Sequence, residues 1–445
     1  HGTFDILHLG HIKHLKEAAA QGDRLVVGLT ADAFVRKGDG RPHFNAEQRR
    51  EQLLALDCVH DVVVVESSDA VPLIESLRPS VYVKGADYQD KPDDIALDRE
   101  VTAVKAVGGG VYYTRSERWS SSRILNAEVY PQETVAYLDR ARRHWPAIKE
   151  AFKATENLKV CFVGETIIDE YRYIRALGKS SKEFLIATEE TSSECFEGGV
   201  IAAHLHAQNT STSYVTARKW IKKTRFVDAD FNRKLFEVYS TSRIVLSQEE
   251  RAQFHIRLGQ AIEACDVIVV MDFGHGLLDD RARDILLAAK EISHKFLCVN
   301  AQSNSANFGF NPVTKYKGAD YICVDEPEAR LAVGDQHGAT DAVVRDLFDA
   351  TRAKNLAVTH GRFGSITYDG ISQSRIPAFA TRGVDTMGAG DAFLAVSGPL
   401  AAVGLDIEAC AIAGNVAGAI KCGIVGHRRA VGRDELIQSV ESLLK

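Results

Sequence analysis

The sequence predicts an α/β protein of two domains, each a largely parallel sheet wrapped by helices. Three observations carry this. Short apolar runs alternate with helical patterns over residues 1–126, and the same alternation resumes at Leu158. Between them, 127–157 is rich in Arg, Ala and Glu, with Tyr137, Leu138, Ala141, Trp145 and Ile148 at helical spacing, as in one or two linking helices with an apolar stripe. Finally, 445 residues exceed what one ordinary core supports. The expected divisions are a first domain at 1–126, a linker at 127–157 and a second domain at 158–445.

Composition narrows the function. Hydrophobic residues at 45% and charged residues at 26% are those of a soluble globular protein, and a net charge of −6 gives no electrostatic case for nucleic acid. No apolar run approaches the ~20 residues of a membrane span, and no signal-peptide pattern opens the chain. The eight cysteines are scattered without a CxxC pair, mostly in apolar surroundings, as expected for reduced, buried thiols in a cytoplasmic protein. Small molecules are therefore the expected partners, with neither nucleic acid nor membrane.

In the first domain, Ile12 to Ala20 reads as an amphipathic helix and Arg24 to Leu29 as a strand. Ala46 to Leu56 is helical, His60 to Val65 a strand, Ala70 to Leu77 a helix and Ser80 to Lys84 a strand. A helix over Asp98 to Val107 and a strand over Gly110 to Tyr113 complete it. Ligands of such sheets bind beyond the carboxyl ends of the strands. The chemistry sits in His8-Leu9-Gly10-His11. Two imidazoles at a helix start can face one phosphate and neutralise charge that grows as pyrophosphate leaves. Gly2-Thr3-Phe4-Asp5 precedes them, and Trp119-Ser120-Ser121-Ser122-Arg123 adds hydroxyls and an arginine at a second helix start, a further phosphate grip.

Together these motifs resemble the HxGH nucleotidyltransferases, the cytidylyltransferase-like family with a Rossmann-like fold. Arg36-Lys37-Gly38-Asp39-Gly40-Arg41-Pro42, Glu47-Gln48-Arg49-Arg50 and Val83-Lys84-Gly85-Ala86-Asp87-Tyr88 are similar to the nucleotidyltransferase half of bifunctional heptose kinase/adenylyltransferases. The resemblance implies that His8 and His11 stabilise the transition state and that Thr3, Phe4, Lys37, Ser121, Ser122 and Arg123 bind nucleotide and phosphate. It also implies that Lys84 and Asp87 lie near the phosphosugar or the nucleotide, and that the family's first strand is missing upstream of His1, either because the real N-terminus is not included or because the domain is incomplete.

The second domain opens with a strand over Lys159 to Gly164, followed by alternating residues over Tyr171 to Phe196 that read as β-strands. Asp266 to Asp272 is a buried strand ending in the glycine-bounded loop Phe273-Gly274-His275-Gly276. Near its end, Asp385-Thr386-Met387-Gly388-Ala389-Gly390-Asp391-Ala392-Phe393 runs from a glycine turn into an apolar helix. Gly388 and Gly390 permit close backbone approach, helix-start amides then point at an anion, and Asp391 stands where it can take a proton from an attacking hydroxyl. This string resembles the signature of the PfkB (ribokinase-like) sugar kinases, an α/β sandwich with a β lid.

The resemblance implies that Asp391 is the catalytic base and that Gly388, Ala389 and Gly390 form the anion hole. It implies that Thr359, Gly361, Gly364 and Asn415 bind nucleotide, and that Asp325 and Glu328 hold Mg²⁺ near the phosphates. Asp169, Gly198, Gly199, Lys223, Arg225, Asp272 and His275 fall on the substrate side. An exposed lid sheet has edges that need cover, so a homodimer through the lid is expected.

There are departures. Val200-Ile201-Ala202-Ala203 stands where the family has an asparagine, and His275 replaces a lysine, so that it would bind phosphate only when protonated. Val299-Asn300-Ala301-Gln302 replaces an Asp-Pro-Lys, and the 204–223 stretch lacks a strand and helix expected between Val215 and Lys222. All lie on the acceptor side, implying a substrate related to, but different from, the heptose of lipopolysaccharide. The expected activity is therefore bifunctional. One domain phosphorylates a sugar or sugar phosphate with ATP. The other transfers a nucleotidyl group from ATP or CTP to a sugar phosphate, for surface polysaccharide synthesis. The domain order is the reverse of the heptose enzyme's. The alternative is a cytidylyltransferase acting on a polyol phosphate, with the kinase-like domain as a binding or scaffolding module.

Overall fold

The computed structural model describes residues 1–35, 41–89, 95–115, 126, 128–179, 181, 185–207, 211–381 and 383–445. Lys37, Ser121, Ser122 and Arg123 lie outside the described residues, as does the side chain of Asp87. The chain divides into two compact units, one of His1–Leu138 with Glu441–Lys445, the other of Asp139–Val440. The division falls inside the expected linker rather than at either of its ends.

In the first unit, α1 (Leu9–Ala19) begins at His8, α2 (Ala46–Leu54) follows β1 (Val26–Thr30), and β2 (Asp61–Val65) pairs with β1 in parallel. Asn45 and Gln48 exchange side chain-to-backbone hydrogen bonds that cap α2, satisfying amides a helix start leaves open. Then come α3 (Val71–Leu77), β3 (Val81–Lys84), α4 (Ile95–Ala106) and β4 (Gly110–Tyr113), with β3 and β4 also parallel. Each lies close to its expected span, because alternating burial and helical spacing were both strong there. Among the described residues the pairing is parallel throughout and forms two two-stranded sheets; Gly2 adds a parallel bridge to Leu29. Leu15, Val27, Leu29, Leu53 and Val62 make one core cluster, Ile74, Tyr82 and Val104 part of another.

The expected linker holds α5 (Gln132–Ala141) and α6 (Trp145–Thr155), and Tyr137, Leu138, Ala141 and Ile148 of its apolar stripe are buried.

The second unit is built on an eight-stranded sheet. Its first strand is β5 (Lys159–Gly164). The chain leaves it for a long hairpin, β6 (Thr166–Lys179) and β7 (Ile186–Gly199), and returns through α7 (Val200–Leu205) to β8 (Ser211–Val215) beside β5. Only 216–220 separate β8 from β9 (Ile221–Asp228), so the connection expected between them is absent and the chain passes straight into the lid. With β10 (Arg233–Thr241), the lid is a four-stranded sheet in the order β10-β9-β6-β7.

Helices α8 (Gln248–Ala264), α9 (Asp280–Ser293), α10 (Glu326–Val333) and α11 (Thr340–Thr351) alternate with β11 (Val267–Asp272), β12 (Phe296–Ala301), β13 (Tyr321–Asp325) and β14 (Asn355–Thr359). These strands and β5 are parallel, and every residue of β11 is buried, which is why it reads as one continuous apolar run. Two short antiparallel strands, β15 (Ser365–Tyr368) and β16 (Gln373–Ile376), close the far edge. Helices α12 (Ala389–Ala402) and α13 (Ile407–Cys422) pack together and are buried along most of their lengths, and α14 (Arg433–Leu444) ends the chain. Among the described residues, no helix is long and apolar enough to cross a membrane. Cys161, Cys265, Cys298, Cys323 and Cys410 are buried, whereas Cys195 is exposed on the lid.

Candidate active sites

The second unit gathers charge at the start of α12. Gly388 is its N-cap and is left-handed, with φ +75°, so the chain turns sharply into the helix, and the Ala389 amide donates to the Thr386 carbonyl at 3.3 Å. Asp391 lies in the first turn, buried, and its Oδ1 accepts a hydrogen bond from Gln302 at 3.1 Å. Burial raises the Asp391 carboxyl above the usual range, Asp169 reinforces this, and His427, Lys421 and Lys223 oppose it. The carboxylate is thus more basic than an exposed aspartate.

Asp169, on β6, is buried and bonded to Arg225 of β9, with His427 3.6 Å away on its other side. Burial works against its ionisation, but His427 and Arg225 outweigh it and hold Asp169 below the usual range. The Lys223 ammonium lies 5.1 Å from the centre of the Tyr239 ring, and burial, then Arg225, depress its pKa. Gly198 has a steric reason for being glycine: a β-carbon there would come within 2.7 Å of the Asp169 carboxylate and 3.1 Å of the His427 ring. Gly199, at φ +65°, would meet the Glu165 carbonyl at 2.4 Å.

In the loop after β11, burial first, then Lys223, push His275 down to about 4. Its Nδ1 lies 2.8 Å from the Ser242 carbonyl and so carries the proton. Nε2 is left as a buried acceptor without a partner among the described residues, suited to a substrate hydroxyl. Asp272 is committed to Tyr316 (2.6 Å), Lys315 (2.6 Å), Asn311 (3.2 Å) and the Gly274 amide (3.0 Å). In the loop after β12, Asn304, Asn307 and Asn311 donate to the backbone carbonyls of Phe273 and Asp272.

On the nucleotide side, Thr359 ends β14, and Gly361 (φ +51°) and Gly364 (φ +88°) shape the turn after it. A β-carbon on Gly364 would strike the Ile376 carbonyl, and Asn415 of α13 donates to the carbonyls of Ile376 and Pro377, so both act on one stretch of backbone. Asp325 and Glu328 cap α10 reciprocally, at 2.7 and 2.9 Å. Burial, Asp325 and Asp391 push Glu328 up to about 8. Asp325 and Glu328 are two oxygen donors of the kind a divalent cation takes, each already accepting a backbone amide.

In the first unit, His8 caps α1 by accepting the His11 amide at 3.3 Å, and the two imidazoles stack with centroids 3.9 Å apart. Phe4 meets His11 edge-on, at 5.2 Å, which fixes the ring, and Thr3 offers its carbonyl to Arg49. Lys84, at the end of β3, is buried and paired with Glu100 at 2.7 Å. Although burial opposes it, hydrogen bonds from His1, Lys84 and the Ala70 amide hold Glu100 down to about 2. Arg49, fully buried, donates to the carbonyls of Thr3, Thr30 and Phe44 and pairs with Asp32, joining the loop before HxGH to the end of β1.

Sequence reasoning passed over His427 and Lys421 and treated Gln302 only as a departure. Lys421 had a signal, a lone cation at the end of the mostly apolar Ile407–Cys422 helix.

Residues 1–127 match the cytidylyltransferase-like family and residues 234–431 the pfkB family carbohydrate kinases. Bifunctional protein HldE of Geobacter sulfurreducens is 47% identical over 112 residues, 25% of this chain and 22% of that protein. Bifunctional protein HldE of Helicobacter pylori is 49% identical over 92 residues, 20% of each. The matches thus span about a fifth of the length of these curated relatives. The tetrameric inhibited form of phosphofructokinase-2 from Escherichia coli has the fold of the second unit, with a TM-score of 0.51 at 12% identity over 65% of this chain and 100% of that one. The chain therefore carries a Rossmann-like cytidylyltransferase-like domain followed by a ribokinase-like domain of the pfkB carbohydrate kinase family.

Proposed function

We propose that the protein makes a nucleotide-activated sugar by two transferase reactions. In the pfkB-type domain, Asp391 takes the proton from a hydroxyl of a sugar or sugar phosphate as that oxygen attacks the γ-phosphoryl of ATP. The amides at the start of α12 receive the charge on the transferred group. Asp169, Arg225, Lys223 and neutral His275 hold the acceptor, a heptose-phosphate-like molecule. Thr359, Gly361, Gly364 and Asn415 shape the ATP site. Asp325 and Glu328 would hold Mg²⁺, which neutralises phosphate charge when bound. In the cytidylyltransferase-like domain, His8 and His11 stabilise the pyrophosphate leaving group as ATP or CTP gives its nucleotidyl group to a sugar phosphate. Thr3, Phe4, Lys84 and Asp87 line that site, with Lys37, Ser121, Ser122 and Arg123 on the triphosphate. Nucleotide-dependent chemistry of this kind belongs in the cytoplasm and serves surface polysaccharide synthesis.

The observation that carries the reading is the Asp391 carboxylate, buried at a helix start, held by Gln302 and faced by Lys223 and His427. A homodimer through the lid is part of the proposal, supported by the exposed Leu177, Ile186, Leu235, Phe236 and Val238 on the lid strands. The test measures ADP formation and pyrophosphate release separately, with each nucleotide crossed against sugar, sugar-phosphate and polyol-phosphate panels. ATP-dependent phosphorylation together with nucleotidyl transfer to a sugar phosphate is expected. Pyrophosphate release only with CTP and a polyol phosphate, with ATP bound but never consumed, would overturn it.

A further inference from the structure

The Lys421 ammonium sits beside the proposed anion hole. It is fully buried, on the last turn of α13, and donates to the carbonyls of Met387 at 2.6 Å, Gly426 at 2.7 Å and Ile424 at 3.5 Å. Three backbone acceptors call for three donors, which an –NH₃⁺ has and a neutral amine does not. Carbonyl-only ligation is the coordination a bare monovalent cation adopts.

The opposite charge completes the arrangement. Asp385 accepts the amides of the same two residues, Met387 at 3.0 Å and Gly426 at 2.9 Å, and also bonds Lys234 at 2.6 Å and the Tyr171 hydroxyl at 2.9 Å. Burial opposes ionisation of Asp385, but Lys234 and those amides hold it at about 2. Met387 and Gly426 are thus gripped at both ends, N–H by a fixed anion and C=O by a fixed cation. Met387 immediately precedes Gly388, and the Lys421 side chain passes so close that a β-carbon on Gly388 would lie 3.3 Å from its Cε.

We infer that Lys421 is a positioning residue, a tethered monovalent cation that locks the 385–388 turn onto the 424–427 loop and so aims the helix-start amides. Its catalytic half rests on the kinase reading; its cation half does not. Two consequences follow. The wild-type protein needs no added monovalent cation. Removing the side chain leaves a carbonyl-lined hole that NH₄⁺ or K⁺ can refill, whereas a methionine fills the space with apolar atoms.

The experiment compares wild type, Lys421→Ala and Lys421→Met in choline chloride, NH₄Cl and KCl, by melting temperature and by ATP-dependent phosphorylation. Expected are wild-type rates and melting points that change by less than about twofold and a degree or two between salts. Lys421→Ala loses about 100-fold in kcat, regains much of it in NH₄Cl or KCl, and melts higher there than in choline chloride. Lys421→Met is low in every salt. Strong activation of wild type by K⁺, or an alanine variant indifferent to NH₄⁺ and K⁺ in both readouts, would overturn the inference. Should the alanine variant not fold, the wild-type salt response decides alone. Should wild type phosphorylate nothing, the kinase reading fails while the melting comparison still decides the cation.

Discussion

Two glycines two positions apart offer a sharp test of the anion hole, because the structure assigns them different reasons. Gly388 is left-handed at φ +75°, and a β-carbon there would lie 3.0 Å from His427 Cε1 and 3.3 Å from Lys421 Cε. Gly390 sits inside the first turn of α12, and a β-carbon there meets nothing within 4 Å. A left-handed L-residue costs about 1–2 kcal/mol before any steric adjustment. Gly388→Ala should therefore lower the melting temperature by roughly 2–6 °C in a unit of this size. Gly390→Ala should be neutral or stabilising by up to about 1 kcal/mol, since alanine is the better helix former. Activity should not follow stability. The open space over Gly390 is where the transferred phosphoryl would lie, so a methyl group there should cost about 10²–10³ in kcat, comparable to losing one oxyanion donor. The assay pairs thermal melts with ADP formation in the proposed acceptor reaction. A Gly390→Ala variant with wild-type kcat and KM would remove the phosphoryl group from this place. A Gly388→Ala variant as stable as wild type would refute the strain argument.

Further outcomes are expected. Asp391→Asn keeps the acceptor for Gln302 but not the base, so kcat should fall about 10²–10⁴-fold while the melting point does not drop, since a buried charge is removed. Wild-type turnover in this variant would exclude Asp391 as the base. His11→Ala should cut pyrophosphate release about 100-fold or more and leave ATP-dependent phosphorylation unchanged; a parallel loss of both would contradict independent sites. Arg225→Met should cost about 3–5 kcal/mol, nearer the lower figure because His427 stays 3.6 Å from Asp169. Adding Asp169→Leu should recover much of that stability, and a strictly additive double variant in urea melts would argue against a coupled pair. Burial, then Lys421 and other cations, pushes His206 down to about 3, and burial, then Lys223, pushes His275 to about 4. The unfolded chain takes up protons near pH 6.5 that the folded chain refuses. Stability complete at pH 7 is therefore lost as pH falls from 6.5 toward 4, by at most about 1.4 kcal/mol per unit per histidine. His206→Asn keeps an acceptor for the Val431 amide and should flatten that slope in pH-dependent melts; an unchanged slope would clear His206.

Much of this protein was determined by local sequence. Alternating apolar residues and helical spacing specified the helices and strands of the first domain, and the strands now seen at Lys159–Gly164 and Val267–Asp272 of the second, to within a few residues, because those periods depend only on each segment's own residues. The HxGH and glycine-rich strings were equally legible, since helix caps and left-handed turns are local devices. What only the tertiary structure decided involves residues far apart in the chain. The first unit's strands divide into two parallel pairs, a matter of which edges meet. Gln302 reaches Asp391 across 89 positions, and His427 comes to Asp169 from near the opposite end of the second unit. His275 stands where a lysine was expected and looks cationic by that position, yet burial and Lys223 keep it neutral. A lone lysine in an apolar helix says only that something must pay for its burial. Three carbonyls from two separate loops meeting at Lys421 Nζ show what does, because desolvating an ammonium is tolerable only where the fold supplies acceptors to replace water.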